Sequence, residues 1–256
     1  MGRFRDIKQY YRFSVLCFLV LVVIFVSSPV AQAGISVAPR RAIFRIDERN
    51  TQEIEVTNQS ERPIRVRVET AQPPRMEEDL YLGDWVRLYP PILNLPPGDK
   101  RAVRFSVQPP EEVEDGEYRS LLFFEELPPE DERAEEGVEF SLLTRLGINI
   151  YGRYGEMNYE GELRDKEIET SGSELLIAGE FVNQGNAHLR MEVDMEVLKN
   201  GEVVAQAENP RFVIHRAAAD TFEELIELPT EGGEEVRVTF RRRNGGGAIY
   251  QFVSDI

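Results

Sequence analysis

The sequence predicts an all-β protein made of two antiparallel β-sandwich domains behind an amino-terminal export segment. Three observations carry this reading. Apolar and polar residues alternate with a period of two through much of the chain. Turn-forming clusters separate these runs at short intervals. After the amino terminus, no stretch shows the 3.6-residue apolar stripe of a long helix. Regular short strands joined by tight turns argue for sheets packed face to face.

The elements follow in order. Arg3, Arg5, Lys8 and Arg12 make a basic start, Val15 to Val26 an apolar run, and Ala31-Gln32-Ala33 the small-residue end of a secretory signal over residues 1–33. The apolar run is shorter than the ~20 residues a spanning helix requires, so cleavage before Gly34 is expected, with retention as an anchor the alternative. Ile64, Val66 and Val68 alternate with Arg65, Arg67 and Glu69, and Val103, Phe105 and Val107 alternate with Arg104 and Ser106. Val138, Phe140 and Leu142 open a run that extends to Tyr151, and Val193, Met195 and Val197 mark a later strand. Asn58-Gln59-Ser60, Pro96-Pro97-Gly98-Asp99 and Asp115-Gly116 read as loops. Asn200-Gly201 reads as a two-residue hairpin, because both residues accept the positive φ angles of a type I′ turn. A boundary is expected near Gly152 to Glu156, giving domains over residues 34–153 and 154–256, with no internal repeat beyond similar strand patterning. The acidic segment 128–137 reads as a solvated loop.

Composition narrows the function. The net charge is −16 over 256 residues, and the basic leader makes the remainder more acidic still. Such a chain repels nucleic acid and anionic lipid. The single cysteine, Cys17, lies in the leader, so neither a disulfide nor a thiol site is available to the exported chain. His188 and His215 stand in no metal-ligand spacing; His188 reads as a surface or turn histidine and His215 as a structural one at a strand end. No nucleophile elbow or phosphate-binding glycine loop occurs, and Gly245-Gly246-Gly247 lacks the lysine and helix that would make it one. The expectation is a binding protein with no enzymatic activity, cofactor or metal.

Four segments carry a resemblance to a known family. They are Ile35 to Phe44, with Arg40-Arg41 ahead of an apolar run, and Tyr89 to Gly98, with its proline pair and Leu95-Pro96-Pro97-Gly98. Gly116 to Phe124, followed by Leu127-Pro128-Pro129, and Val138 to Tyr151 complete the set. In order and spacing these resemble the PapD-like periplasmic chaperones of pilus assembly, across most of residues 35–155. Phe181 to Asn186 extends the likeness more loosely into the second half. The resemblance implies two immunoglobulin-like domains. It also implies a mechanism in which the last strand of the first domain is lent to pilin-type subunits with an incomplete immunoglobulin fold, which are then delivered to an outer-membrane usher. Chaperone–pilin strand donation is a worked example of β-strand addition.

The residues can be set against that mechanism. A lent strand needs unpaired backbone groups and alternate apolar side chains. Val138, Phe140 and Leu142 are the candidate donor row, each worth about 1.5–3 kcal/mol if fully buried in a client. Taken alone, the alternation is equally that of a strand facing its own core. The family holds the client's terminal carboxylate with two basic residues. Arg41 matches the first by position. The second is ordinarily lysine, and the aligned position here is Gly147, so Arg145, two residues earlier on the same face, is the candidate substitute. The family's interdomain acid before a glycine pair is replaced by Asn244, which implies a looser hinge. A free donor edge also allows self-capping homo-oligomers. Two alternatives stay open: an adhesive or structural surface protein, and a chaperone for exported clients other than pilins.

Overall fold

The computed structural model describes residues 34–48, 50–128, 143–207, 210–230, 232–243 and 245–256. The leader over residues 1–33, the segment 129–137 and the candidate donor residues Val138, Phe140 and Leu142 lie outside the described residues, as does Asn244.

The first half holds nine strands: β1 (Ile35–Ala38), β2 (Arg41–Arg45), β3 (Thr51–Asn58), β4 (Ile64–Ala71), β5 (Val86–Tyr89), β6 (Ile92–Leu95), β7 (Lys100–Val107), β8 (Gly116–Leu127) and β9 (Arg145–Tyr154). They form two sheets, ordered β1-β3-β7-β5 and β2-β9-β8-β4-β6. The pairings are antiparallel except for β2, which runs parallel to β9. The chain changes sheets at Pro39-Arg40, so its start closes both layers. The alternating runs place one face of each sheet inward. Ile54, Val56, Val66, Val68, Val103, Phe105, Leu122, Phe124 and Ile150 are buried in one cluster, with Phe44 edge-on to Phe105 at 5.4 Å.

The second half repeats this plan with β10 (Gly161–Ser171), β11 (Glu174–Asn183), β12 (Leu189–Lys199), β13 (Glu202–Gln206), β14 (Arg211–Ile214), β15 (Ala219–Glu227), β16 (Glu235–Arg242) and β17 (Ala248–Asp255). One sheet is ordered β10-β11-β15. The other is ordered β13-β12-β16-β17, with β14 also paired to β12. A second, separate core gathers Phe181, Met191, Val193, Met195, Val197, Phe222, Val238 and Phe240. Asn200 and Gly201 turn β12 into β13 with φ of 53° and 77°, as the type I′ reading requires. The protein is therefore all-β, two immunoglobulin-like sandwiches in series. The only helical turns among the described residues are the short 3-10 segments Glu78–Leu80 and Gly83–Trp85.

One sequence expectation changes. A repeat does exist. Val56-Thr57-Asn58-Gln59-Ser60 and Phe181-Val182-Asn183-Gln184-Gly185 end equivalent strands, each second in its sheet. In both, the asparagine carbonyl accepts the backbone N–H two residues on, at 2.9 and 3.0 Å, while its amide donates to backbone carbonyls of neighbouring loops. Both side chains are buried, so this short motif satisfies a loop that would otherwise strand polar groups. Strand β9 continues through Gly152 and Arg153. It ends at Tyr154, and residues 155–160 lead to β10.

Candidate functional site

Strand β9 has an unusual environment. Along its whole length β8 pairs with one side, from Arg145 opposite Glu125 to Tyr154 opposite Gly116. On its other side β2 covers only Asn149 to Arg153. Among the described residues, the edge of β9 from Arg145 to Ile148 is thus unpaired. The entry to β9 is held by Glu126, which is 1% exposed. Its backbone N–H donates to the Thr144 carbonyl at 2.9 Å, and its carboxylate pairs with Arg62.

Where β2 begins, Arg41 stands opposite Asn149 on the outward face of the sheet. It opens into a cleft of about 240 Å³ between the two halves of the chain, lined by Arg41, Arg153, His188, Arg190, Arg242 and Arg243 among others. Arg153 and Arg243 have carboxylate partners, Glu117 at 3.0 Å and Glu192 at 3.1 Å. Arg242 lies over the Tyr159 ring at 4.2 Å. Arg41 and Arg190 have no carboxylate partner among the described residues. Partial burial, and then repulsion by Arg41 and Arg243, lower the pKa of Arg190 from the usual arginine value. The cleft is a concentrated positive site in an acidic protein.

Arg145 is not part of it. Four residues from Asn149, it stands about 13 Å along the strand from the level of Arg41. It pairs with Glu69 at 3.2 Å and lies over the Phe123 ring at 4.0 Å. Gly147 packs so closely that an added Cβ would come within 2.8 Å of the same ring. The structure therefore brings Arg41 together with arginines of the second half, and keeps Arg145 apart.

The two halves are joined by a buried group that the sequence reading placed elsewhere. His188, expected at the surface or in a turn, does follow the bend at 185–187 but is only 4% exposed. Its Nδ1 lies 2.5 Å from Glu117 Oε1, which also accepts the His188 backbone N–H at 3.1 Å. With Glu117 ionised, Nδ1 carries the proton. Burial alone would raise the pKa of Glu117, but the hydrogen bond and charge of His188 outweigh it, with Arg153 helping, and hold the carboxyl below its ordinary value. Tyr151 stacks on His188 at 4.4 Å, and burial pushes its phenol up. Two further bonds, one of them from the Asn186 side chain, reinforce the tie. Glu117 N–H donates to the Asn186 carbonyl at 2.8 Å, and the Asn186 amide donates to the Asp115 carbonyl at 3.1 Å. Gly116, with φ of 145°, lets the chains approach here, since a Cβ would meet Arg216 at 2.4 Å. The hinge is thus tied through Glu117 and His188 rather than through the acid missing at position 244.

Nearby, His215 has its Nδ1 buried without a partner, and burial, then Arg119 and His188, lower its pKa to about 4. One signal for the cleft was legible: Arg241-Arg242-Arg243 is a basic run in an otherwise acidic chain. Arg190 and Arg153 carried none, since each is a single arginine on a strand.

Residues 34–151 match the family profile described as pili and flagellar-assembly chaperone, PapD N-terminal domain. Comparison with curated proteins returns no match. Among solved structures, a chaperone–tip adhesin complex of CFA/I fimbriae biogenesis aligns with TM-score 0.50 and 14% identity, covering 87% of this chain and 98% of its own. The E. coli chaperone DraB aligns at 0.49 and 16%, covering 87% and 96%. The Salmonella enterica SafA pilin–SafB chaperone complex aligns at 0.48 and 13%, covering 89% and 99%. The fold is shared over both domains at low identity, and residues 34–151 form a domain of the PapD amino-terminal type found in pili and flagellar-assembly chaperones.

Proposed function

We propose that the protein is a periplasmic chaperone that captures pilus subunits by strand donation and hands them to an outer-membrane usher. The observation that carries this is the juxtaposition of the open β9 edge with the arginine cleft at its end. A guest strand laid along Arg145–Ile148 occupies the side of β9 that β2 takes further on, so its tip meets β2 at Arg41. Running parallel to β9, it presents its terminal carboxylate to that cleft. Running the other way, it would press a positive amino terminus among arginines. Charge therefore selects the parallel guest, and Arg41 anchors its end through paired guanidinium hydrogen bonds. In this reading Val138, Phe140 and Leu142, immediately upstream of β9, are the apolar row that fills the subunit's open groove, and Arg145 supports the edge as a surface pair.

The test is recovery of a carboxy-terminally tagged protein from the envelope of cells making pili, with bound proteins identified by mass spectrometry. One small subunit at equal stoichiometry is expected, lost when Val138, Phe140 and Leu142 become serine and weakened by Arg41→Ala. Subunit retained by the folded triple variant would sink strand donation through this segment.

A further inference from the structure

The cleft holds more positive charge than a single chain end requires. One carboxylate has two oxygens, and a single guanidinium can satisfy it bidentately. Three arginines, Arg41, Arg190 and Arg242, face the cleft without a carboxylate partner among the described residues, whereas Arg153 and Arg243 are already paired. They come from both domains: Arg41 from β2, Arg190 from β12 and Arg242 from the end of β16. The Arg243 backbone N–H donates to the Arg190 carbonyl at 2.8 Å, which holds the second-domain cluster on a rigid ladder. The repulsion already described at Arg190 means that the site stores charge it does not neutralise. The cleft, at about 240 Å³, has room beyond what a bare carboxylate fills.

We propose that the cleft reads two carboxylates at once, and that the captured subunit ends in an acidic residue. The terminal carboxylate lies against Arg41, and the last residue's side-chain carboxylate crosses the cleft to Arg190 and Arg242. This rests on the pilus-subunit reading and deepens it. The first domain fixes where the chain ends, and the second domain reads what the last residue is. A client ending in a neutral residue leaves the Arg190 and Arg242 guanidiniums in the cleft lining unneutralised, with Arg190 still repelled by Arg41 and Arg243, so the preference has a repulsive as well as an attractive part.

Four synthetic peptides test it, identical except for the end: glutamate or glutamine as last residue, each with a free or amidated terminus. Binding to the two-domain protein is read by fluorescence anisotropy. The free glutamate peptide should bind about tenfold to hundredfold more tightly than the free glutamine peptide, the worth of one charge-assisted hydrogen-bonding contact. Arg190→Gln and Arg242→Gln, each shown folded by its thermal melt, should shrink that ratio toward one. Arg41→Gln should instead shrink the difference between free and amidated ends. Equal binding of glutamate and glutamine peptides overturns the inference while leaving the carboxylate anchor intact. Indifference to amidation, or no binding of any peptide, overturns both. Inorganic phosphate displacing the glutamate peptide at equal concentration would also overturn it, because the cleft would then be reading charge without a chain.

Discussion

Replacing Glu117 by glutamine should loosen the junction between the two domains without altering either core. The carboxylate is 3% exposed and accepts three hydrogen bonds, two from His188 and one from Arg153. A glutamine keeps the size but has one acceptor oxygen. If that oxygen serves His188, its amide points donors at the Arg153 donor, and the charge that strengthened every bond is gone. Arg153 is a quarter exposed and can turn to water, but His188 cannot. The expected loss is about 2–4 kcal/mol, from charge-assisted bonds worth about 1.5–3 kcal/mol each less what Arg153 recovers. Trp85 is the sole tryptophan and packs on Tyr118 at 4.7 Å in the first domain, so its fluorescence reports that domain alone, while far-UV circular dichroism reports both. In urea, with a slope of about 2 kcal/mol per molar, the Trp85 midpoint should fall by about 1–2 M, and the two probes should separate as the domains unfold independently. His188→Gln should do the same, and the double variant should cost less than the sum of the singles, because both remove one interaction. Additive losses, or midpoints unmoved by Glu117→Gln, would refute the assignment of this pair as the tie.

His215 titrates near 6.5 when unfolded and at about 4 in the fold, so the unfolded chain binds more protons between these values and stability falls as pH drops from 6.5 to 4. The full displacement corresponds to about 3 kcal/mol, and the ring's partial exposure reduces the expected loss to about 1–2 kcal/mol. Glu117, held below its ordinary value, adds to the loss only below the normal carboxylate range. His215→Asn should flatten urea stability between pH 6.5 and 4, and an unchanged slope would contradict the account. At Gly147, two effects compete. Alanine in a strand gains about 0.5–1 kcal/mol over glycine, but overpacking against Phe123 at 2.8 Å costs about 1–3 kcal/mol, so Gly147→Ala should destabilise by about 1 kcal/mol. Combining it with Phe123→Ala should remove the penalty, read by thermal melts of the four variants, and a penalty that persists would place the conflict elsewhere.

What the sequence revealed, and what it hid, divides along a physical line. Strand identity was legible because alternation is local. Val66, Val68, Val103, Phe105, Val193, Met195 and Val197 are all buried as their parity requires. The positive φ angles at Asn200-Gly201 were legible because they belong to two adjacent residues. Arg41 was singled out through family position, yet its surroundings were not foreseen. They depend on how β2 meets β9 and how β12 and β16 approach across the junction, contacts between residues up to about two hundred positions apart. Arg145 was offered as second cation by the rule that i and i+2 share a strand face. The rule holds, but it says nothing about distance from a site that lies further along the strand. His188 was misplaced for the same reason: the turn that carries it looks solvated until the first domain's Glu117 is docked against it.

That docking bears on how the cleft can work. A site assembled from two domains pays for their alignment each time it binds, unless something else fixes the alignment first. Here the Glu117–His188 contact and the hydrogen bonds of Asn186 lie beside the arginines, and His188 itself lines the cleft. The same carboxylate that ties the domains neutralises Arg153, leaving the remaining cations unopposed. Preorganisation and charge surplus are therefore produced by one residue. It follows that Glu117→Gln should weaken capture of an acidic chain end even though Glu117 never touches it, and that added ligand should restore part of the lost stability, since anything that bridges both domains favours the docked arrangement in proportion to its occupancy. If binding of the free glutamate peptide is undiminished in that variant while the domains unfold separately, the arginines are positioned by their own strands and the tie is structural alone.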